Sequence, residues 1–313
     1  MSGAKTKREA KSAPGKLKGR PFRWVQGLLV ACLIIVGSPA LADSLDFDPA
    51  PLERIALQEE ARLSARVGIA VMDTQSGTVW QHRGNERFPL NSTFKAFLCA
   101  ALLDAGDKGE LEPSSTVVIR GRDLVSYSPV TEKQVGAPGL SLTNLCEATA
   151  TTSDNTAANL VMKALGGPAS VTGFLRENGD ETTRLDRWEP EMNSAVPGDE
   201  RDTTTPLAAA KSLQNFVLGD VLADESRNQL TEWLIGNQVG QATLRAGLPD
   251  GWAIADKTGA GGFGSRSNIA VVWPAGREPV VIAVYVTQTT APFAERNRAI
   301  ANIGRALAES LQP

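Results

Sequence analysis

Apolar side chains recur every three or four positions in several stretches of this chain, and elsewhere they alternate or run together. The first spacing predicts amphipathic helices and the second predicts strands. Strands are predicted towards both ends of the chain, and helices fill the middle. The predicted strands cover residues 66–73, 78–82, 254–258, 267–273 and 280–287.

The order of these elements predicts an antiparallel α+β fold rather than a doubly wound sheet. We expect all five strands in one sheet, with the N- and C-terminal helices on one face and an all-helical lobe beside it. The α/β lobe should comprise about 43–87 and 236–313, and the helical lobe about 88–235. The predicted helices cover residues 51–64, a segment that opens at Asn91 or Ser92, 142–150, 155–165, 205–218, 225–235, 243–246 and 293–311.

The first 42 residues have the composition of an export signal. A basic stretch precedes an apolar run from Val25 to Gly37, and Ala-Leu-Ala then ends at Ala42. This order is typical of a signal peptide, so we expect cleavage after Ala42 and a single domain over 43–313. The apolar run is short for a membrane span, although a retained anchor and a lipoprotein signal at Cys32 are alternatives. We expect a periplasmic protein without stable membrane association after cleavage.

Charge and histidine content exclude several classes of function. The leader holds eight Lys and Arg and one acid, which leaves 24 basic and 34 acidic residues and a net charge of about −10 in the rest. Such a body repels nucleic acid. The single histidine, His82, leaves little material for a histidine-based triad or a zinc site, so we expect no metal or cofactor. Lysine and glutamate become the natural proton carriers.

Two cysteines remain beyond the leader, Cys99 and Cys146. An even pair in an oxidising compartment predicts a disulfide, with two buried free thiols as the alternative.

Three short motifs carry the candidate chemistry. Ser92-Thr93-Phe94-Lys95 places a hydroxyl and an amine three residues apart, hence on one helix face. A serine hydroxyl needs a neighbouring base to act as a nucleophile. The other two motifs are Ser153-Asp154-Asn155 and Lys257-Thr258-Gly259. Each is weak alone, since S-x-x-K also occurs at residues 2–5 and the second motif could simply cap a helix.

In this order the three motifs resemble those of the penicillin-recognising serine enzymes. A fourth segment, Glu189-Pro190-Glu191-Met192-Asn193, supplies a carboxylate and an amide that could hold a water against an acyl-enzyme. The chain therefore resembles a class A serine β-lactamase over about 45–311. The Gly259–Arg266 stretch resembles the carbenicillinase group, although that group often has arginine where Lys257 stands.

The resemblance implies a role for each catalytic residue. Ser92 would attack the lactam carbonyl, with Lys95 or Glu189 as the base. Ser153 would pass a proton to the leaving nitrogen. Glu189 and Asn193 would then activate and position the water that hydrolyses the ester. A small-molecule β-lactam would be the substrate, and antibiotic resistance the consequence.

The resemblance also implies binding and structural roles. Lys257, Thr258 and Arg266 would bind the substrate carboxylate, and Asn155 its side chain. Further implied features are Tyr127 at the pocket mouth, close approach of the strand to the ligand at Gly259, an oxyanion hole from the N–H groups of Ser92 and Ala260, Asn297 near Arg266, the Cys99–Cys146 bridge, and an Arg187–Asp202 pair closing an Ω-loop.

Two other functions share part of this pattern. A D,D-peptidase or penicillin-binding protein would use the first three motifs but lacks the Glu189 and Asn193 pair. A non-catalytic penicillin sensor would need a retained membrane segment and a signalling domain. We expect a hydrolase, and a monomer as the default.

Overall fold

A five-stranded antiparallel sheet forms the centre of the computed structural model, which describes residues 47–312. The predicted leader, its cleavage site after Ala42 and the lipoprotein alternative at Cys32 lie outside these residues. The strands are β1 (Arg66–Asp73), β2 (Val79–His82), β3 (Phe88–Pro89), β4 (Thr116–Ile119), β5 (Gly136–Ser141), β6 (Thr203–Thr204), β7 (Ala253–Ala260), β8 (Arg266–Trp273) and β9 (Val280–Thr287).

The main sheet has the strand order β2-β1-β9-β8-β7, and every neighbouring pair is antiparallel. The fold prediction is therefore confirmed: the chain is α+β, with the five predicted strands in one sheet. Within residues 47–312, no helix is long and apolar enough to cross a membrane. The helices are α1 (Ala50–Leu63), α2 (Phe94–Asp107), α3 (Leu142–Thr152), α4 (Asn155–Leu165), α5 (Pro168–Glu177), α6 (Pro206–Val217), α7 (Asp224–Ile235) and α8 (Phe293–Ser310).

Strand β9 is apolar at nearly every position because both of its faces are covered. Its even-numbered residues, such as Ile282 and Val284, join the core formed with α1 and α8. Its odd-numbered residues, such as Ala283 and Tyr285, join the larger core formed with the helical lobe. Since successive strand residues point to opposite faces, one central strand contributes to two cores.

Helix α2 is the buried axis of the helical lobe. Every residue from Phe94 to Ala105 is buried, including Lys95 in its first turn. A helix that is apolar on all sides needs neighbours on all sides, and α3 to α7 supply them. The first turn of this helix is therefore held rigidly, which matters because it carries the predicted catalytic lysine.

Several elements differ from the prediction. Helix α5 was not predicted, although Pro168 at its start and buried Val171, Phe174 and Leu175 have helical spacing. The predicted helix at 243–246 is a single 3₁₀ turn, Leu244–Gly247. The two-residue strands β3 and β6 pair with each other and are too short to give a periodic signal.

The predicted disulfide is present between Cys99 on α2 and Cys146 on α3, with their α-carbons 5.6 Å apart. It closes a loop of 47 residues, and the loss of chain entropy in the unfolded state is worth about 4 kcal/mol.

We expect the Cys99→Ala/Cys146→Ala double variant to lose about 2–4 kcal/mol of free energy of unfolding, measured by urea denaturation. Wild-type protein treated with reductant is the control. Equal free energies of unfolding for the double variant and the untreated wild-type protein would contradict the prediction.

Candidate active site

Ser92 lies in a short 3₁₀ turn, Asn91–Thr93, that leads directly into α2. Its side chain lines a cavity of about 600 Å³ between the helical lobe and the edge strand β7. Its hydroxyl makes no hydrogen bond with any described residue, so it is free to meet a ligand in the cavity.

Lys95 lies one turn later, fully buried, and its ammonium group joins three parts of the site. Its Nζ donates to the Ser153 carbonyl oxygen at 2.8 Å and to Asn155 Oδ1 at 2.6 Å, and lies 3.3 Å from Ser153 Oγ. It also lies 3.1 Å from Glu189 Oε1. Lys95 therefore connects the first, second and fourth motifs within one shell of contacts.

The Ser153-Asp154-Asn155 motif occupies the sharp junction between α3 and α4. Ser153 has a positive φ of 64° that ends α3, and the Asp154 carboxylate caps α4 by accepting from the Ala157 N–H at 2.8 Å. Buried Asp154 also accepts from both the N–H and the hydroxyl of Thr131. The junction is therefore fixed, and it presents Ser153 and Asn155 to the cavity.

Glu189 and Asn193 lie together, and Asn193 lines the cavity. Asn193 Nδ2 donates to Glu189 Oε2, and the Glu189 side chain is fully buried. Its other oxygen, Oε1, faces Lys95 as an ion pair but accepts no aligned hydrogen bond from the described residues. A carboxylate with one oxygen tied to an amide and the other beside an ammonium group is placed to accept a proton.

Asn159 positions this carboxylate and was not predicted. It lies one turn after Asn155 on α4 and clamps the main chain of Glu189, accepting from its N–H at 3.0 Å and donating to its carbonyl at 2.8 Å. The four-residue spacing from Asn155 placed both amides on one helix face, which was the available signal.

Arg187 and Asp202 close the Ω-loop, here residues 187–202. Arg187 Nε lies 2.5 Å from Asp202 Oδ2, and Asp202 Oδ1 accepts from the Arg187 N–H at 2.9 Å. The Asp202 side chain is fully buried. The same arginine donates to Ser194 Oγ at 2.9 Å, so it ties both ends of the loop to its middle.

Strand β7 forms one wall of the cavity through Thr258, Gly259 and Ala260. Lys257 points into the interior, where its Nζ donates to Ser153 Oγ at 3.2 Å. A β-carbon at Gly259 would lie 3.0 Å from the backbone nitrogen of Ser92. The glycine therefore lets the strand approach the turn that carries Ser92, in addition to the predicted approach to a ligand, and this brings the Ser92 and Ala260 segments together.

Arg266 enters the same cavity from β8, opposite Ala260 in the strand register. It donates to Asn297 Oδ1 at 2.7 Å, as the resemblance implied, and to the Gly259 carbonyl at 3.0 Å. Its guanidinium also lies 5.0 Å from the centre of the Phe293 ring. These contacts leave donors of the planar guanidinium for an anionic ligand.

Burial lowers the pKa of three cationic side chains at the site, Lys95, Lys257 and Arg266. Complete burial lowers the pKa of Lys95, and the Glu189 carboxylate opposes that shift. Burial, followed by repulsion from Lys95, lowers the pKa of Lys257 well below that of a free lysine. Burial lowers the pKa of Arg266 to about 10. A lysine with a lowered pKa gives up its proton at a lower pH than an ordinary lysine does.

Comparison with known proteins agrees with this geometry. The family model described as "Beta-lactamase enzyme family" matches residues 52–311. The chain belongs to the β-lactamase enzyme family. β-Lactamase CARB-4 of Pseudomonas aeruginosa is 49% identical over 282 residues, which are 90% of this chain and 97% of that protein. β-Lactamase AER-1 of Aeromonas hydrophila is 47% identical, over 92% of this chain and 94% of its own length.

Solved structures place this β-lactamase family member in class A. An ancestral class A β-lactamase (GNCA) is 51% identical with a TM-score of 0.81, covering 82% of this chain and 99% of that one. A class A β-lactamase of the last common ancestor of Gram-negative bacteria (GNCA4) is 50% identical with a TM-score of 0.81, covering 83% and 98%. The predicted resemblance to class A serine β-lactamases of carbenicillinase type is confirmed.

The cavity of this β-lactamase family member has residues on its rim that the sequence did not reveal. Tyr127 was predicted there, and it lines the cavity with more than half of its side-chain surface exposed. Residues 238–242, which follow α7, were not predicted to line the cavity because they carry no motif or periodicity. The lining residues missed by sequence reasoning are Gln238, Val239, Gln241, Ala242 and Phe293.

His82 lies on the sheet edge strand β2, away from the cavity lining, with its Nε2 3.4 Å from Glu60. Within residues 47–312, no cluster of His, Cys, Asp and Glu is arranged to hold a metal ion.

The lowered pKa of Lys257 predicts a pH dependence of substrate binding. An amine with a lowered pKa loses its proton at a lower pH than a free lysine, so the positive charge at the carboxylate site falls as pH rises. We expect KM for a penicillin to begin to rise at a lower pH than deprotonation of a free lysine would cause, while Arg266, with its pKa of about 10, keeps its charge there. The Lys257→Arg variant keeps its charge and should show a flat KM; the same rise in that variant would assign the effect to another group.

Proposed function

We propose that this protein hydrolyses the β-lactam amide of penicillins and related antibiotics through an acyl-enzyme on Ser92, and so confers antibiotic resistance. The proposal rests on one observation: Glu189 and Asn193 are hydrogen-bonded to each other and lie beside the buried Lys95, whose Nζ also contacts Ser153. This arrangement supplies a base for hydrolysing the acyl-enzyme as well as the groups for forming it.

Acylation begins with Ser92 attacking the lactam carbonyl. The two candidate bases for its proton are Lys95, acting directly, and Glu189, acting through water. Lys95 is one helical turn from the serine, and Glu189 is in contact with Lys95. The amide N–H groups of Ser92 and Ala260 stabilise the oxyanion that forms.

Ser153 completes acylation by giving a proton to the lactam nitrogen as the ring opens. Its hydroxyl lies between two ammonium groups, 3.3 Å from Lys95 and 3.2 Å from Lys257. A proton lost to the leaving nitrogen is thus replaced from a neighbouring lysine. The substrate carboxylate binds Thr258 and Arg266 near Lys257, and Asn155 and Tyr127 contact the substrate side chain.

Deacylation uses the Ω-loop. Glu189 takes a proton from a water that Asn193 helps to hold, and the resulting hydroxide attacks the ester on Ser92. The ester bond breaks, the proton returns to Ser92, and the opened product leaves.

The D,D-peptidase and sensor alternatives are not favoured. Both rest on the three motifs that form the acyl-enzyme, and neither accounts for the Glu189 and Asn193 pair. The relatives CARB-4 and AER-1 are also named β-lactamases.

We propose further that residues 1–42 are a signal peptide cleaved after Ala42, and that the mature protein is a periplasmic monomer. The support is the basic and apolar order of the leader and the Cys99–Cys146 disulfide, which favours an oxidising compartment.

Mixing the purified protein with a large excess of a chromogenic cephalosporin or penicillin tests the function. Sustained turnover is the expected result. A single burst equal to the enzyme concentration, followed by a stable adduct, would indicate a penicillin-binding protein or sensor and would refute hydrolysis.

A further inference from the structure

Asn91, the residue before the nucleophile, makes a contact that the mechanism above does not use. It is fully buried, and its φ of 44° lies in the left-handed region that side chains other than glycine rarely adopt. Asparagine tolerates this region better than most residues. Strain that a fold maintains next to a catalytic residue points to a role for the side chain.

The side-chain amide of Asn91 points from the 3₁₀ turn Asn91–Thr93, the nucleophile turn, towards the Ω-loop. Its Nδ2 lies 3.5 Å from Asn193 Oδ1, at the long end of a hydrogen bond. The turn after β7 leaves space for it, because a β-carbon at Gly261 would collide with this Nδ2. The same turn holds the Ω-loop, with the Gly262 N–H donating to the Asn193 carbonyl at 2.8 Å.

The orientation of each amide follows from the Glu189 carboxylate. A carboxylate only accepts hydrogen bonds, so Asn193 must present Nδ2 to Glu189 and Oδ1 to the opposite side. Asn91 must then present its donor to that Oδ1. A flipped Asn193 would lose both contacts, because it would place two acceptors together at Glu189 and two donors together at Asn91.

We propose that Asn91 is a positioning residue for deacylation: its amide holds Asn193 in the orientation that binds the hydrolytic water with Glu189. The inference rests on the proposed acyl-enzyme mechanism and deepens it. Asn91 acts through Asn193 and touches neither the substrate nor the reacting atoms. Its loss should therefore slow hydrolysis of the acyl-enzyme and leave its formation nearly unchanged.

The test compares acylation and deacylation rates in Asn91→Gly. Glycine keeps the positive φ without strain and removes the side chain that carries the amide. Because this hydrogen bond is long and therefore weak, its loss predicts deacylation slower by about three- to five-fold, with acylation within about two-fold of the parent. Acyl-enzyme on Ser92 should then accumulate in the steady state, as detected by mass spectrometry.

Asn91→Asp is the isosteric second variant, and it turns the donor into an acceptor that faces Asn193 Oδ1. We expect its deacylation to fall further than that of Asn91→Gly. In an Asn193→Ala background, Asn91→Gly should have no additional effect, because the group through which it acts is gone.

Three results would overturn the inference. They are unchanged deacylation in both Asn91 variants, acylation slowed as much as deacylation, and full additivity with Asn193→Ala. The second result would assign Asn91 a structural role in the nucleophile turn. Failure of the proposed function is recognised separately, because the parent protein itself would then show no sustained turnover, and the inference would fall with it.

Discussion

Glu189→Ala is expected to stop turnover while leaving an acyl-enzyme on Ser92. The change removes the buried carboxylate that takes the proton of the hydrolytic water, and a positioned general base contributes about 10²–10⁴-fold. No other carboxylate contacts Lys95 Nζ among the described residues, so no substitute base is in place. Mixing the variant with a penicillin and recording the intact mass should show one covalent adduct per chain that persists for many wild-type turnover times.

Glu189→Gln is the matched control, since it preserves the volume and the possibility of a hydrogen bond to Asn193 but cannot take the proton. Both variants should accumulate the adduct. Turnover of Glu189→Gln at the wild-type rate would refute the assigned role of the carboxylate. The acylation rate of these variants also bears on the first step, because fast acylation without Glu189 leaves Lys95 as the base.

The main sheet and the motif residues were predictable because their signals are local. Ser92 and Lys95 are three residues apart, where the 3₁₀ turn leads into α2. Strand β9 is recognisable as buried because nearly all of its residues on both faces are apolar. The same reasoning missed α5, whose ten residues follow Gly166 and Gly167. These two glycines were the stronger signal, and they indicated the end of a helix. It also overestimated the turn at Leu244, because four residues with helical composition do not suffice for a helix.

The parts of the site that could not be predicted depend on contacts between distant residues. Asn159 binds the main chain of Glu189, which is 30 residues away, and nothing about an asparagine or a glutamate in the sequence predicts this contact. Asn155 was assigned to the substrate alone, yet its Oδ1 accepts from Lys95, which is 60 residues away. Gly259 was assigned to ligand approach, yet it also allows packing against the Ser92 turn. A motif identifies the residue, and only the packed fold shows which neighbour each atom meets.

Lys95→Met is expected to have the second large effect, this time on formation of the acyl-enzyme. Methionine approximates the length of the lysine stem and keeps the buried apolar contacts, but it removes the ammonium group that joins Ser153, Asn155 and Glu189. Loss of this candidate proton carrier, one helical turn after Ser92, predicts acylation slower by at least about 10²-fold. Stopped-flow measurement of acylation under single-turnover conditions provides the rate.

The same substitution should also lower stability, because it leaves the Glu189 carboxylate buried without its cation. Breaking a buried ion pair by removing one partner costs about 3–5 kcal/mol. The double variant Lys95→Met/Glu189→Gln removes both charges, so it should regain part of this stability without regaining acylation. Acylation of Lys95→Met within a few-fold of wild type would show that Glu189 and water serve as the base, and the buried lysine would then act by holding Ser153, Asn155 and Glu189 in place.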